Sequence, residues 1–339
     1  MSVLSVLELP ETVTGSAADR ALGATLIDIW RTRGIIQLAT RRAQRDLMAA
    51  ALRESRRFFH QPLAHKQRHR NDLTYSGYTG SGETGPAHGR ALPEAFAVCK
   101  DVPADDQRTL SRWPCHGPVP WPDPAYRTCV RALLAELESL GGRILALTAL
   151  GLGLEDPLAL TTLTDDGWHH MRLLRFPSTM GSDAGRGIGT PFDYGLLLIA
   201  VQDDTGGLWV RPPAAGPDSA WSLTPPLPDV LTVLPGPVLQ ILSGGQVRST
   251  PHRVRPTDRE RHVIAYFHEP NFQALVQPLR HTRGGGDPLP PDMERRVHYG
   301  THVTSMFMRC YPERLTTRRL RDEGGLDRLA RLRAGAGLD

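Results

Sequence analysis

The runs GLLLIAVQ (195–202), GLWVRP (207–212), VLTVLPG (230–236), TPHRVR (250–255) and HVIAYFH (262–268) decide the fold. Each is a short apolar stretch bounded by Gly, Pro or Asp, which is how strands are punctuated. MRLLRFP (171–177) and PVLQILSGG (237–245) read as two further strands of the same kind. No helical period separates these runs, so a parallel α/β sheet is excluded. Many short strands within so few residues predict a double-sheet jelly roll or small barrel.

Outward from that core the period changes. Residues 16–33 place Leu22, Leu26, Ile29 and Trp30 at helical spacing, with Gly34 as the stop. GIIQLA (34–39) reads as a buried strand, and 41–59 return to a helix through Leu47, Met48, Ala51, Leu52, Ser55 and Phe59. The clearest helix is 125–153, where Val130, Leu133, Leu137, Leu140, Ile144 and Leu147 keep one apolar face, weakened midway by Gly141 and Gly142. Residues 60–125 lack either period and read as long functional loops, their aromatics Tyr75, Tyr78, Trp113 and Trp121 arguing against disorder. A charged, helix-like tail closes the chain. The expected organisation is a helical and loop region over 1–160, a β core over 161–311 and a helical tail over 312–339, packed as one compact unit.

The chain has 339 residues, 40 of them basic and 36 acidic, and 40% are hydrophobic. These are globular values that exclude a disordered or collagen-like chain. No apolar stretch reaches the ~18 residues of a membrane helix, and no basic run interleaves with aromatics as a nucleic-acid groove requires. Lys66 and Lys100 are the only lysines, which reads as the codon bias of a GC-rich genome. Cys99, Cys115, Cys129 and Cys310 lie far apart, and MSVLSVLELPETVTG (1–15) has no basic leader region. A cytoplasmic chain with free thiols is expected, and a monomer, since no extended apolar face or heptad run stands out.

A small barrel with one open end suits a metal held by side chains from neighbouring strands. The common oxygen-activating form is two His and one carboxylate on one face of Fe(II). Its pattern is His-x-Asp, a distant His on a later strand, and an Arg a few residues beyond. Asp193, His252 and Arg261 supply part of that set. On their own, Asp193 reads equally as a turn residue and His252 as a strand-end histidine.

Longer blocks carry a resemblance. DLTYSGY (72–78), WPCHGPVPWP (113–122), DGWHHMRLLRFP (166–177), QDDTGGL (202–208), STPHRV (249–254), AYFHEPNF (265–272) and MFMRCYP (306–312) resemble, in order, the ethylene-forming enzyme family of the isopenicillin-N-synthase-like Fe(II)/2-oxoglutarate oxygenases. The resemblance implies a mainly β fold, a double-stranded β-helix core of jelly-roll, cupin-like type with N-terminal helices. It implies Fe(II) as cofactor, 2-oxoglutarate as co-substrate, O2, and L-arginine or another amino acid as second substrate. 2-Oxoglutarate would become ethylene and CO2, or succinate. By position, Asp193 and His252 match the metal ligands and Arg261 the clamp on the far carboxylate of 2-oxoglutarate. Arg172 and Phe267 match co-substrate contacts. Tyr194 and Arg309 match contacts to the amino acid, and Glu83 or Thr84 its guanidinium partner.

Two positions depart from the pattern. The family's first His ligand is replaced by Pro191, and the small residue after it by Phe192. Proline offers no metal-binding side chain and lacks the backbone N–H. In the loop after YSGY, the family's adjacent acids read Glu83-Thr84. Two outcomes follow: an oxygenase with an altered triad, or an inactive or engineered homologue that binds a 2-oxoacid or amino acid without the native oxygenation. His169 and His170, like His262, His268, His298 and His302, are read as structural.

Overall fold

The computed structural model describes residues 6–81, 93–178, 195–216, 218–255, 257–279 and 296–335. The N-terminal elements are β1 (Val6–Leu7), α1 (Ala17–Arg33), β2 (Ile36–Ala39), α2 (Arg42–Phe59), α3 (Leu63–Gln67), β3 (Gly77–Thr79), β4 (Glu94–Val98) and α4 (Gln107–Leu110). Helix α5 (Pro124–Gly151) follows, then β5 (His170–Phe176), β6 (Leu197–Gln202), β7 (Leu208–Val210), β8 (Ser222–Thr224) and β9 (Val230–Pro235). The last are α6 (Pro237–Leu242), β10 (His252–Val254), β11 (Arg261–His268), β12 (Leu275–Val276), β13 (Val297–His298), α7 (Tyr299–Cys310), α8 (Leu315–Asp322) and α9 (Gly325–Gly335).

The helices form where the spacing predicts. Ser16 and Asp19 make a capping box at the start of α1, and Gly34 ends it at φ 73°, a left-handed turn that suits glycine. In α5, Asp123 caps the backbone N–H of Tyr126 and Pro124 occupies the first turn, where a missing N–H leaves nothing unpaired. Helices α1 and α5 cross at Gly23, where an added Cβ would stand 2.4 Å from the Leu147 carbonyl. Gly141 has a comparable reason: a Cβ there would meet the His268 ring at 2.3 Å.

The large sheet runs β1-β2-β9-β6-β11-β5-β4-β3, and a small one runs β10-β7-β8. The eight-stranded sheet has two different faces. One packs on α1, α2 and α5 through residues such as Ile199, Val201, Ile264, Tyr266, Met171 and Leu173. The other turns Leu174, Leu198, Leu234, Ala265 and Phe267 toward Leu208 and Val210 of the small sheet. Two sheets facing each other over a narrow interior make the double-stranded β-helix, with the helices outside.

Two readings change. PVLQILSGG folds as α6, not as a strand. Val238, Leu239, Ile241 and Leu242 are all buried, so no alternation separates strand from helix; Gly236 leads in and Pro237 sits in the first turn. The stretch read as loops contains β3 and β4, which extend the large sheet beyond β5. No helix among the described residues is long and apolar enough to cross a membrane.

Candidate active site

The register along β11 builds the interior. Arg261 pairs with Phe176, Val263 with Leu174, Ala265 with Arg172 and Phe267 with His170. On its other side Val263 pairs with Gln202, Ala265 with Ala200 and Phe267 with Leu198. Opposed residues of antiparallel strands share a face, so these residues all line the barrel. Ala97 of β4, opposite Arg172, extends the row. Three alanines in one row leave space where larger side chains would fill it.

Accessibility points the same way. Ala200, Val263, Ala265 and Phe267 keep 5%, 6%, 8% and 8% of their surface, whereas their neighbours on the helical face, Ile199, Val201, Ile264 and Tyr266, are 0% exposed. The same strands thus line a solvent-touched channel on one side and a dry core on the other.

Arg261 enters that channel at 2% exposure. Its Nη2 donates to Gln202 Oε1 at 3.1 Å, and its guanidinium lies 5.2 Å from the Phe176 ring centre. Among the described residues, its Nε and Nη1 are buried with no hydrogen-bond partner. Burial lowers its pKa to about 10, with the Asp203 carboxylate holding it up, so the group is charged at neutral pH. A buried cation with two unmatched donors in a planar fork is a seat for a carboxylate.

His252 enters from the small sheet. It opposes Val210 and so shares the inward face. Thr250, two residues earlier, fixes the approach by donating to the Gly34 carbonyl at 2.6 Å. His252 Nδ1 lies 3.2 Å from the Thr250 carbonyl oxygen. A carbonyl only accepts, so Nδ1 carries the proton and Nε2 the lone pair. That is the form in which imidazole binds a metal.

The closed end is aromatic and cationic. His170 stacks on Phe267 at 4.4 Å with the rings 6° apart, and Phe307 of α7 meets His170 edge-on. Arg172 lies half-buried in the alanine row. Arg309 is exposed on α7, and its charge and that of Arg172 both act on the Cys310 thiol. Arg261, Arg172, Phe267 and His252 therefore share the inward face, while Arg309 stays exposed on the helix that carries Phe307, its Nη2 on Met306 Sδ. Asp193, Tyr194, Glu83 and Thr84, with Pro191 and Phe192, lie outside the described residues.

Two residues with roles here were not expected from sequence. Gln202 steadies the guanidinium. Glu269, fully buried, accepts the Leu196 N–H at 3.0 Å and packs so tightly on Gly195 that an added Cβ would stand 2.0 Å from Oε1. It pins the backbone that follows Tyr194. Its own N–H donates to His169 Nδ1 at 2.9 Å, and His169 stacks on His268 at 4.3 Å. These bonds give the His169 ring a structural role.

The family model described as 2OG-Fe(II) oxygenase superfamily matches residues 167–270. The one described as non-haem dioxygenase in morphine synthesis N-terminal matches residues 4–124. A full-length Neurospora crassa protein, solved in complex with alpha-KG, superposes with a TM-score of 0.74 at 19% identity, over 89% of this chain and 95% of that one, a likeness of fold. Fold and matches together define a 2-oxoglutarate-dependent dioxygenase. A 2-oxoglutarate-dependent ethylene/succinate-forming enzyme from Ralstonia nicotianae is 46% identical over 350 residues, spanning 98% of this chain and 99% of the relative. The chain belongs to the ethylene-forming enzyme family of the 2OG-Fe(II) oxygenase superfamily, whose cofactor is Fe(II) and whose co-substrate is 2-oxoglutarate. A homoarginine-6-hydroxylase from Glycine max is 29% identical over 270 residues, spanning 75% of this chain and 78% of the relative.

Proposed function

We propose that this oxygenase oxidatively decarboxylates 2-oxoglutarate, to ethylene and CO2 or to succinate, with an amino acid of the L-arginine type as second substrate. The metal is held by two protein side chains, Asp193 and His252. The observation that carries the reading is Arg261, a buried guanidinium on the barrel face with two donors unmatched among the described residues. It fits the far carboxylate of a 2-oxoacid, and Gln202 orients it. Arg172 supplies further positive charge beside the co-substrate, and Phe267 walls the site. The lone-pair nitrogen of His252 fits the metal; Pro191 offers it nothing.

Fe(II), when bound, supplies the activation of O2. The protein's part is positioning. Leu174, Val263 and Phe176 keep an apolar sleeve around the Arg261 fork, which strengthens its hold on an anion. Tyr194, Glu83 or Thr84, and Arg309 would orient the second substrate, Arg309 through its carboxylate. The two named relatives support this class, one by its product and one by the guanidino amino acid in its name. The chain acts as a cytoplasmic monomer in one compact unit, with the boundaries 1–160, 161–311 and 312–339.

Pro191 favours a second reading, in which the channel binds its ligands without turnover. An anaerobic titration with Fe(II) and 2-oxoglutarate separates the two. The visible charge-transfer band of an Fe(II)–oxoacid chelate is expected. No band with bound 2-oxoglutarate leaves the second reading. Pro191→His with Phe192→Thr is expected to raise ethylene or succinate output, since losing one metal ligand weakens binding by more than the roughly 10–100-fold of an outer contact. Unchanged output from that variant sinks the two-ligand account.

A further inference from the structure

On the helical face, behind Arg261, three donor atoms converge. His60, at the end of α2, places Nε2 3.0 Å from Glu260 Oε1. His262, on β11, places its Nε2 2.9 Å from the same oxygen. All three donor atoms lie within 4.8 Å of one another. The second oxygen of Glu260 is gripped by Arg175, at 2.6 Å from Nη2 and 2.8 Å from Nε. Arg175 in turn stands 3.7 Å from Glu94, the partner of buried Lys66. Glu260 is thus fixed from behind, with Oε1 presented forward to two imidazoles. The His60 side chain is 57% exposed and that of His262 2%, so the cluster opens to solvent on one side only.

We infer that His60, Glu260 and His262 form a binding site for a divalent transition metal, Zn2+ being the best match, separate from the barrel. Two imidazoles and one carboxylate are a borderline donor set that suits zinc and its neighbours, whereas Mg2+ and Ca2+ prefer oxygen throughout. Four-coordinate zinc with bonds of about 2.0–2.2 Å spaces its ligands by about 3.3 Å. The two spacings to Oε1 need to widen by a few tenths of an ångström, which a turn of exposed His60 and a small shift of the Glu260 carboxylate provide. Water takes the fourth position. On binding, each ring changes tautomer, the proton leaving Nε2 and one being taken up at Nδ1, and Oε1 turns from accepting two hydrogen bonds to holding the metal. Arg175 keeps Glu260 oriented, as hydrogen-bonded carboxylate ligands require. His262 Nδ1 is buried without a partner among the described residues, so the site binds less tightly than a structural zinc centre.

The placement gives the site a lever. Glu260 and His262 flank Arg261, whose guanidinium points through the sheet into the channel. A metal here locks the three-residue run that carries the clamp.

The test is zinc titration of metal-stripped protein against a colorimetric chelator, in the parent, His60→Ala and His252→Ala. Exposed His60 is dispensable for folding. One zinc equivalent is expected to weaken about 100-fold or more in His60→Ala and to persist in His252→Ala. If His60→Ala binds zinc like the parent, or if the tight equivalent disappears only in His252→Ala, the inference is overturned and the cluster is a hydrogen-bonded clamp. His60→Cys gives the direct readout. With Co2+ it should show a sulfur-to-metal charge-transfer band that the parent lacks, because a thiolate at that position joins the metal. Absence of that band, with Co2+ bound, overturns it as well.

Discussion

The two faces of the eight-stranded sheet are made by the same residues in alternation and do opposite things. On β11, Ile264 and Tyr266 pack into a dry layer under the helices, while Val263, Ala265 and Phe267 border a channel that water reaches. The helical face carries polar groups too, and its rings are neutral: Tyr266 bonds His268 at 3.0 Å and the His262 N–H reaches Asp203, while His268 Nε2 and His262 Nδ1 go unmatched among the described residues. The barrel face keeps a guanidinium with donors to spare. Unmatched buried polarity destabilises a fold, most of all where it carries a charge, so a permanently charged fork with spare donors marks the barrel face as built for a ligand. Stability should therefore respond to the helical face and ligand affinity to the barrel face.

Acid gives the largest effect, because rings on both faces and in the loops are held neutral: on the barrel face, burial and the Arg172 charge take His170 well below its usual value. Burial, aided by the charge of Lys100, lowers the His169 pKa to about 3. Burial lowers His116 to about 4, and burial with the neighbouring His169 takes His268 well below its usual value. In the unfolded chain these rings titrate near 6.5. The folded values are depressed, so below pH about 6.5 the unfolded chain binds more protons and stability drains away as the pH falls toward 4. The His169 shift alone corresponds to about 5 kcal/mol. The urea midpoint should fall steeply through that window. A flat profile would mean these rings are not held neutral, and the dry-face description would go with them.

Next in size is Arg261→Met, which should move affinity and not stability. The 2-oxoglutarate dissociation constant is expected to rise about 100-fold or more, the usual consequence of removing one partner of a buried charge pair. The melting temperature should hold or rise, because an uncompensated buried cation has gone. Calorimetry on one preparation checks both. A lower melting temperature with unchanged 2-oxoglutarate binding reverses the assignment of the faces.

The mirror experiment is Gly141→Ala. Its new methyl would press on a His268 ring already fixed by Tyr266 and His169. Overpacking of this kind costs about 1–3 kcal/mol. Denaturant unfolding should report that loss while 2-oxoglutarate affinity stays within error. Altered affinity would show that the two faces are coupled through β11.

How far the sequence makes these faces legible depends on where each signal resides. Helices α1, α2 and α5 are readable because period and caps are local: Gly34, Asp123 and Pro124 stand next to what they terminate. β4 escapes notice because its inward residues, Ala95 and Ala97, are small where the channel needs room. EAFAV then alternates large with small instead of apolar with polar. The same demand for space hides a strand and makes a site. Arg172 and Phe267 are found through their family blocks, and Arg261 through its spacing beyond His252. Gln202 and Glu269 also stand in such blocks, but their roles are not legible there, because they rest on Arg261 and Leu196, partners distant in the chain.

Gln202→Met is the smallest and sharpest probe of the barrel face. The side chain spans two neighbours, its Oε1 accepting from Arg261 and its Nε2 donating to Thr232 Oγ1 at 3.3 Å. Methionine keeps the volume and removes both bonds, so Arg261 gains a further unmatched donor and more rotational freedom. A hydrogen bond to a charged group contributes about 1.5–3 kcal/mol. A bound carboxylate recovers part of that by taking the freed donor, so 2-oxoglutarate should bind only a few-fold more weakly in equilibrium dialysis. Longer and shorter dicarboxylate competitors then decide what Gln202 does. If it aims the fork, the variant should lose its preference among chain lengths more than its affinity for any one of them. If preference survives intact while affinity falls, aim comes from the Phe176 and Val263 walls, and Gln202 only balances the charge.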